Sequence, residues 1–392
     1  MGRGAGSVVV VAGLAVALGG LVIPAGAAQE PVRIGAGFAL SGKDRSIGEP
    51  AARGAMLAIE EISAAGGVLG LPVELIVRDS TSDPAVAAEN ARQAVTEDAV
   101  DLYLGFTDTD PVLTAGPILQ EAGIPFLVVG ATSPLLPATV GDRLFLVPFG
   151  DNTQAAAGVE YAIDRFGTTA ALLWDEGAQY PIDLARYARS ALAAAGGSLV
   201  LEATFADRDP DLAEAVARLR ALETPPDFLY VAAMPYNVGT VLRQLRDGGL
   251  AMPVVGGDGY DTPELVTEGG DAAEGAIYTT HALMDPVSGS EPVRRFIAAY
   301  AARHGEGTAT SFAALGHDAA SLAAAAIEAA GSTDPEAIVA ALEATTGFPG
   351  ITGTIGYAPG VHVPEKSVAI VEIVDGVPTP VAEVTPRSVP AP

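Results

Sequence analysis

Four polar loops hold the side chains of this chain that are suited to chemistry. They follow predicted strands at residues 100–104, 125–129, 170–174 and 253–255, and they contribute Thr109, Thr132, Tyr180 and Asp258. Hydroxyl, phenol and carboxylate groups hydrogen-bond polar molecules, so these loops are candidates for binding a solute. The structural alternatives are a helix cap for Thr109, an Asp-Gly turn for Asp258 and a half-buried aromatic for Tyr180.

Catalytic signatures are missing from the sequence. The chain has no cysteine, and it contains no G-x-S-x-G elbow, no H-E-x-x-H pair and no Walker loop. Residues 35–40 begin like a dinucleotide-binding fingerprint, but leucine stands where the third glycine should be. His281, His304, His317 and His362 lack ligand spacing, so we interpret them as surface or packing residues. The sequence therefore predicts a binding protein, not an enzyme, with no metal and no cofactor.

Alternating strand and helix patterns must position these loops. Further strand-like runs lie at 32–38, 71–77, 199–204, 228–232 and 276–280, and helical runs lie at 84–96, 155–165, 181–195, 211–221 and 238–247. This alternation predicts an α/β fold with parallel sheets flanked by helices. Because 392 residues exceed what one core serves, we expect two lobes. Residues 309–330 are alanine-rich and predict a tightly packed helix.

Residues 32–80 carry a βαβ unit with a distinctive pattern of small residues. A strand, a Ser-Gly loop, an amphipathic helix, a glycine-rich helix end and a second strand follow one another, and the pattern residues are Ser41, Gly42, Gly48, Gly66, Gly67, Gly70 and Asp79. This pattern resembles the leucine/isoleucine/valine-binding family, the type I periplasmic substrate-binding proteins of ABC importers. The resemblance continues to about Lys366.

The resemblance implies two Rossmann-like lobes joined by a three-segment hinge. Carried over to this chain, the hinge segments fall near residues 149–152, 278–281 and 351–353. The N-lobe would contain residues 31–148 and 281–351, and the C-lobe residues 149–280 and 352–385. Residues 375–392 are proline-rich and predict a strand followed by a loose tail at 386–392.

The resemblance also implies the N-lobe part of a ligand site between the lobes. Thr109 would donate its hydroxyl to the carboxylate of the ligand. In the segment formed by Gly130, Ala131 and Thr132, the Gly130 carbonyl would accept from the ligand's ammonium. Thr132 would offer its hydroxyl and amide to the carboxylate, in charge-assisted hydrogen bonds.

On the C-lobe side, Tyr180 would cover the ligand and Asp258 would pair with its ammonium. Met234 stands where the branched-chain amino-acid receptor has a tyrosine, and Ile47 stands where it has an aromatic residue. Asp108 adds an acid beside Thr109. The pocket is therefore open to a ligand other than a simple branched amino acid, and the alternative function is a periplasmic sensory protein for an amide, urea or aromatic acid.

The first 28 residues resemble a signal peptide. Arg3 is the only charge before an apolar run at 8–23, and small residues follow at 24–28. We expect cleavage near Ala27 or Ala28 and a free periplasmic protein; the alternative is a permanent N-terminal anchor. The formal net charge of −27 disfavours nucleic-acid binding. The expected partners are a small-molecule ligand and the membrane subunits of an ABC permease, with the receptor itself a monomer.

Overall fold

The computed structural model describes residues 8–12, 30–206, 210–305, 307 and 309–392. Its first sheet contains β1 (Val8–Ala12), β2 (Val32–Phe38), β3 (Val73–Asp79), β4 (Leu102–Gly105), β5 (Phe126–Val128) and β6 (Leu144–Leu146). The strand order is β1-β3-β2-β4-β5-β6, and only the edge pair β1–β3 is antiparallel. The central strands are apolar on both sides because helices cover both faces.

The second sheet is mixed. Its parallel part contains β7 (Thr169–Asp175), β8 (Ser198–Phe205), β9 (Phe228–Ala232), β10 (Val254–Gly256) and β11 (Ala276–Thr280). A short hairpin of β12 (Phe348–Gly350) and β13 (Gly353–Ile355) precedes β14 (Val368–Val374) and β15 (Val377–Val384). These last two strands add to β11 in antiparallel fashion, giving the order β15-β14-β11-β10-β9-β7-β8. The predicted α/β fold class is confirmed.

Helices flank both sheets. They are α1 (Arg45–Ala64), α2 (Pro84–Gln93), α3 (Thr109–Glu121), α4 (Leu136–Val140), α5 (Asp151–Phe166), α6 (Gln179–Ala194), α7 (Ala213–Arg220), α8 (Pro235–Asp247), α9 (Glu264–Gly269), α10 (Glu291–His304), α11 (Ser311–Ala330) and α12 (Pro335–Glu343). The cores around the first sheet include residues of α1–α4 and α10–α12, and we call this unit the N-lobe. The cores around the second sheet include residues of α5–α9, and this unit is the C-lobe. Over the described ranges, we find no helix with the length and apolar character that a membrane span requires.

The alanine-rich helix α11 packs directly on α1, as its composition predicts. The two backbones approach so closely that a Cβ on Gly54 would lie 1.8 Å from the Ala313 carbonyl oxygen. A Cβ on Gly316 would likewise lie 1.9 Å from the Ala51 carbonyl oxygen. Small residues on both helices therefore hold α11, which comes late in the chain, against the N-lobe.

The chain returns to the C-lobe later than the sequence predicted. The third hinge segment was expected at 351–353, but the Tyr357 hydroxyl donates to the Leu146 carbonyl at 2.9 Å and the Leu146 amide donates to the His362 carbonyl at 2.8 Å. The chain thus stays on the N-lobe through His362, because the β12–β13 hairpin folds back onto that lobe's core.

The tail after β15 is not loose. Its Arg387 amide donates to the Glu160 carboxylate on α5, and the Asn152 side-chain amide donates to the Pro390 carbonyl at 2.9 Å. Charge-assisted bonds to one buried carboxylate fix this segment.

The structure describes only part of the expected signal peptide, residues 1–28. The expected cleavage site at Ala27 or Ala28 lies outside the described residues, whereas β1 lies within the expected signal peptide. Removal of that peptide would take β1 away and leave β3 as an edge of the first sheet.

Candidate ligand-binding site

A small cavity lies between the two lobes, and the empty space in it and at its mouth amounts to about 280 Å³. All seven residues expected at the ligand line it, and they are Thr109, Gly130, Ala131, Thr132, Tyr180, Met234 and Asp258. Ile47, Asp108 and Phe312 also line it. The sequence thus identified residues that the fold brings together from five separate loops, at the carboxyl ends of parallel strands.

Thr109 is the first residue of α3, directly after the loop that follows β4. Asp108 caps this helix, because its Oδ1 accepts from the Thr109 amide at 2.7 Å. The Thr109 hydroxyl is buried and has no hydrogen-bond partner among the described residues. Asp108 therefore supplies the helix cap that was considered for Thr109, and the Thr109 hydroxyl is left available to a bound molecule.

Thr132 is held differently from the expectation. Its hydroxyl donates to Oδ1 of Asp151 at 2.7 Å, so this proton is directed at the first residue of α5. Asp151 is fully buried, and burial, together with the nearby Asp258 and Asp183, raises its pKa well above the usual range. Sequence reasoning missed Asp151, since its partner lies 19 positions away in another element.

Asp258 is the acid of the C-lobe, and two side chains hold its carboxylate. The Gln154 side-chain amide donates to Oδ1 at 2.8 Å, and the His281 ring Nε2 lies 2.9 Å from Oδ2. The flanking glycines permit this packing, because a Cβ on Gly257 would lie 2.5 Å from the Tyr180 hydroxyl oxygen. Asp258 therefore lies in an Asp-Gly turn and also lines the cavity.

His281 is a packing residue with an added polar role. It is buried and stacks on Phe149 with 4.1 Å between ring centroids, while its Nε2 meets Asp258. His362 stacks on Phe145 in the N-lobe. In the part of the chain that the structure describes, no group of three or more acidic or histidine side chains could hold a metal ion.

Tyr180 and Met234 form the C-lobe wall of the cavity. Tyr180 is buried, and its hydroxyl accepts from the Gly259 amide at 3.1 Å. Burial raises its pKa well above 10, and the neighbouring Asp258 acts in the same direction, so Tyr180 is a neutral phenol. Trp174 is partly buried against the C-lobe core, with the Arg189 guanidinium 5.7 Å from its ring centroid.

Direct contacts join the lobes around the cavity. Three of them pair Ser133 Oγ with Asp183 Oδ2 at 2.7 Å, the Gln179 amide with Asp110 Oδ2 at 3.4 Å, and the Lys43 ammonium with the Tyr236 ring at 4.5 Å from its centroid. The lobes therefore meet over the cavity, which is the arrangement that excludes water and strengthens polar interactions inside.

The cavity is acidic and otherwise largely apolar. Asp108 and Asp258 enter it from opposite lobes, and its described lining residues include no lysine or arginine. Burial raises the pKa of Asp108 well above its usual range, and the adjacent Asp44 and Asp110 add to that effect. Such a lining can hold a small molecule by hydrogen bonds and ion pairs, and it favours positively charged groups.

Two α/β lobes that enclose a small polar cavity define a two-lobe solute-binding protein. Residues 31–377 match the model of the periplasmic binding protein family, and this chain belongs to that family.

Similar proteins share most of their length with this chain. A leucine-, isoleucine-, valine-, threonine- and alanine-binding protein of Pseudomonas aeruginosa is 27% identical over 333 residues, which cover 84% of this chain and 86% of that protein. The crystal structure of a leucine-binding protein from Thermotoga maritima has a TM-score of 0.83 at 26% identity, covering 91% of this chain and 99% of that one. A branched-chain amino acid transporter substrate-binding protein of Streptococcus pneumoniae, solved with isoleucine, has a TM-score of 0.81 at 26% identity, with coverage of 91% and 100%.

Proposed function

We propose that this protein is the solute receptor of an ABC importer and captures an amino acid or a related small polar compound between its lobes. The observation that carries the proposal is the meeting of two complementary groups on one cavity. Asp258 offers a carboxylate from the C-lobe, and Thr109, at the start of α3, offers a hydroxyl that no described residue hydrogen-bonds. An ammonium suits the first group and a carboxylate suits the second, and an α-amino acid carries both.

The similar proteins support this ligand class and its destination. The Pseudomonas and Thermotoga proteins are named for the amino acids they bind, and the Streptococcus protein is named as part of a transporter. By analogy, the loaded receptor delivers its solute to permease subunits in the membrane, acts as a monomer and carries out no reaction on the solute.

A set of three related compounds tests whether both ends of an amino acid are recognised. L-norvaline carries the ammonium and the carboxylate, pentanoate lacks the ammonium and butylamine lacks the carboxylate. Isothermal calorimetry is expected to detect norvaline and to show both analogues binding at least 30-fold more weakly. Binding of pentanoate or butylamine as tight as that of norvaline would contradict the amino-acid proposal.

The Asp258→Asn variant assigns the ammonium contact. Loss of one member of a buried charge pair costs about 2–5 kcal/mol, so norvaline affinity is expected to fall by roughly 30-fold or more, at 1.4 kcal/mol per tenfold. Asp285→Asn is the matched control, since Asp285 accepts only local loop amides and lies away from the cavity. Unchanged affinity in Asp258→Asn would reduce Asp258 to a turn residue.

We also propose that the chain is exported and cleaved near Ala27 or Ala28. The apolar run at 8–23 and the small residues after it support this step. N-terminal sequencing of the protein from the periplasm is expected to begin at Ala28 or Gln29. Recovery of an uncut form, starting at Met1 and held in the membrane, would instead favour the anchor.

A further inference from the structure

Asp108 is a second carboxylate on the cavity, besides Asp258, to which the proposed function assigns the α-ammonium of the ligand. It lines the cavity from the N-lobe, opposite to Asp258, and only 6% of its surface is exposed. Burying a carboxylate is costly unless a hydrogen-bond donor or a positive charge faces it. A bound ligand that places a donor or a positive charge against Asp108 therefore lowers this cost.

Only one of the two Asp108 carboxylate oxygens takes part in capping α3. Oδ1 of Asp108 accepts from the Thr109 amide at 2.7 Å. No hydrogen bond within the described part of the chain involves Oδ2 of Asp108. A capping role and a ligand contact can thus share one side chain, because an ionised carboxylate accepts several hydrogen bonds.

The groups around Asp108 are mostly acidic. Asp44 and Asp110 both raise its pKa, and burial is the largest cause. Lys43 acts in the opposite direction, but its ammonium lies over the ring of Tyr236, 4.5 Å from the ring centroid. Lys43 does not line this cavity, so the local excess of negative charge favours a cation from outside the protein.

We propose that Asp108 selects a ligand whose side chain carries a positively charged nitrogen, so that the solute is a short diamino acid. This inference rests on the proposed function, in which Asp258 and Thr109 hold the α-ammonium and α-carboxylate. The cavity between the lobes is small, which suits a short side chain. Ile47, Met234 and Phe312 supply apolar surface for its methylene groups.

An isosteric pair of amino acids isolates the side-chain charge. L-2,4-diaminobutyrate and L-norvaline have side chains of three heavy atoms each, and they differ in a terminal ammonium against a methyl group. Calorimetry on the full mature protein at pH 7.5 is expected to show diaminobutyrate binding at least tenfold tighter than norvaline. L-asparagine tests a neutral nitrogen donor and is expected to bind more weakly than diaminobutyrate.

The Asp108→Asn variant removes the charge and keeps the cap, because asparagine caps helices as well as aspartate does. Diaminobutyrate affinity is expected to fall at least tenfold in this variant, while norvaline affinity changes less than threefold. Asp334→Asn is the matched control, since Asp334 caps α12 through the Ala337 amide and does not line the cavity. Circular dichroism and thermal unfolding establish that both variants fold.

The pH dependence gives a second readout. A proton on Asp108 must leave before the carboxylate can pair with a cation, so the diaminobutyrate preference of the wild type is expected to be weaker in acid than at pH 7.5. Asp44, whose pKa burial raises to about 6, also gains a proton as the pH falls below neutral. The Asp108→Asn variant retains Asp44, and its smaller rise with pH therefore isolates the Asp108 contribution.

The outcomes separate the two proposals. If norvaline binds and diaminobutyrate binds no tighter, Asp108 is a helix cap only and the proposed receptor function stands. If asparagine binds tightest, a neutral donor is selected and the inference of a cation is wrong. If neither norvaline nor diaminobutyrate binds, the amino-acid ligand itself is wrong and the inference falls with it.

Discussion

At the scale of single residues, the site depends on a buried polar network that orients Asp258. The Gln154 side chain donates to Asp151 and Asp258 through Nε2, while its Oε1 accepts from the Asp258 amide and the Thr279 hydroxyl. These four hydrogen bonds fix the orientation of the Gln154 side-chain amide. A carboxylate held in this way is preorganised, so a ligand does not have to order it on binding.

Thr109 contrasts with this network, because its buried hydroxyl has no protein partner among the described residues. An unsatisfied buried hydroxyl costs about 1–3 kcal/mol. Thr109→Val, which replaces the hydroxyl with a methyl group, is therefore expected to raise the free energy of unfolding by about 1 kcal/mol and to weaken norvaline binding about tenfold. Urea unfolding and calorimetry measure the two effects.

Two further variants distinguish a hydroxyl that contacts the ligand from one that affects only stability. Thr109→Ser keeps a hydroxyl and is expected to retain most of the affinity. Thr262→Val removes another buried hydroxyl that has no partner in the described part of the chain. Thr262 lies away from the cavity, so this variant is expected to change stability without changing affinity. Full norvaline affinity in Thr109→Val would show that this hydroxyl does not touch the ligand.

At the scale of secondary-structure elements, periodicity located the buried strands well. The predicted bounds of β2, β9 and β11 coincide with the observed ones, because each is a mostly buried run of five to seven residues bounded by loops. β6 was not predicted, since Leu144–Leu146 is too short to show a period. Pro378 and Pro380 lie in β15, which is an edge strand, where a missing amide donor is tolerated.

The sequence predicted only those residues of the site that lie in recognisable loops after strands. Thr109 and Asp258 sit in recognisable strand-end loops, and the structure puts both at the cavity. Gln154 and His281 gave no such signal, because they lie 104 and 23 positions from Asp258 in the chain. Their pairing is a consequence of how α5 and β11 pack, which a single sequence does not reveal.

At the scale of the whole molecule, one buried lysine ties together segments near the junction of the lobes. The Lys366 ammonium donates to the Val147 carbonyl at 3.1 Å and to the Thr352 hydroxyl oxygen at 2.6 Å. The Thr352 hydroxyl in turn donates to Asp318 on α11 at 2.6 Å. Val147 follows β6 and Lys366 precedes β14, so this cluster fixes two places where the chain leaves the N-lobe.

Burial of Lys366 makes stability depend on pH. Burial lowers its pKa to about 8, although Asp318 opposes the shift, whereas a lysine in the unfolded chain has a pKa of about 10.4. Between these two values the unfolded state binds more protons than the folded state, so the free energy of unfolding rises with pH. From pH 7 to pH 9.5 we expect a gain of roughly 2 kcal/mol, at 1.36 kcal/mol per pKa unit.

Urea unfolding of wild type and two variants at pH 7, 8.5 and 9.5 measures this gain. Lys366→Met is expected to flatten the dependence, because the titrating group is gone. Lys43→Met is the control, since Lys43 is the chain's other lysine and is exposed at the lobe contact with Tyr236. A wild-type stability that falls with pH, or an equal rise in Lys366→Met, would show that the Lys366 ammonium is not confined as the structure describes. If the rise in unfolding free energy with pH is lost in Lys366→Met and kept in Lys43→Met, the gain comes from the proton on the buried Lys366 at the junction of the lobes.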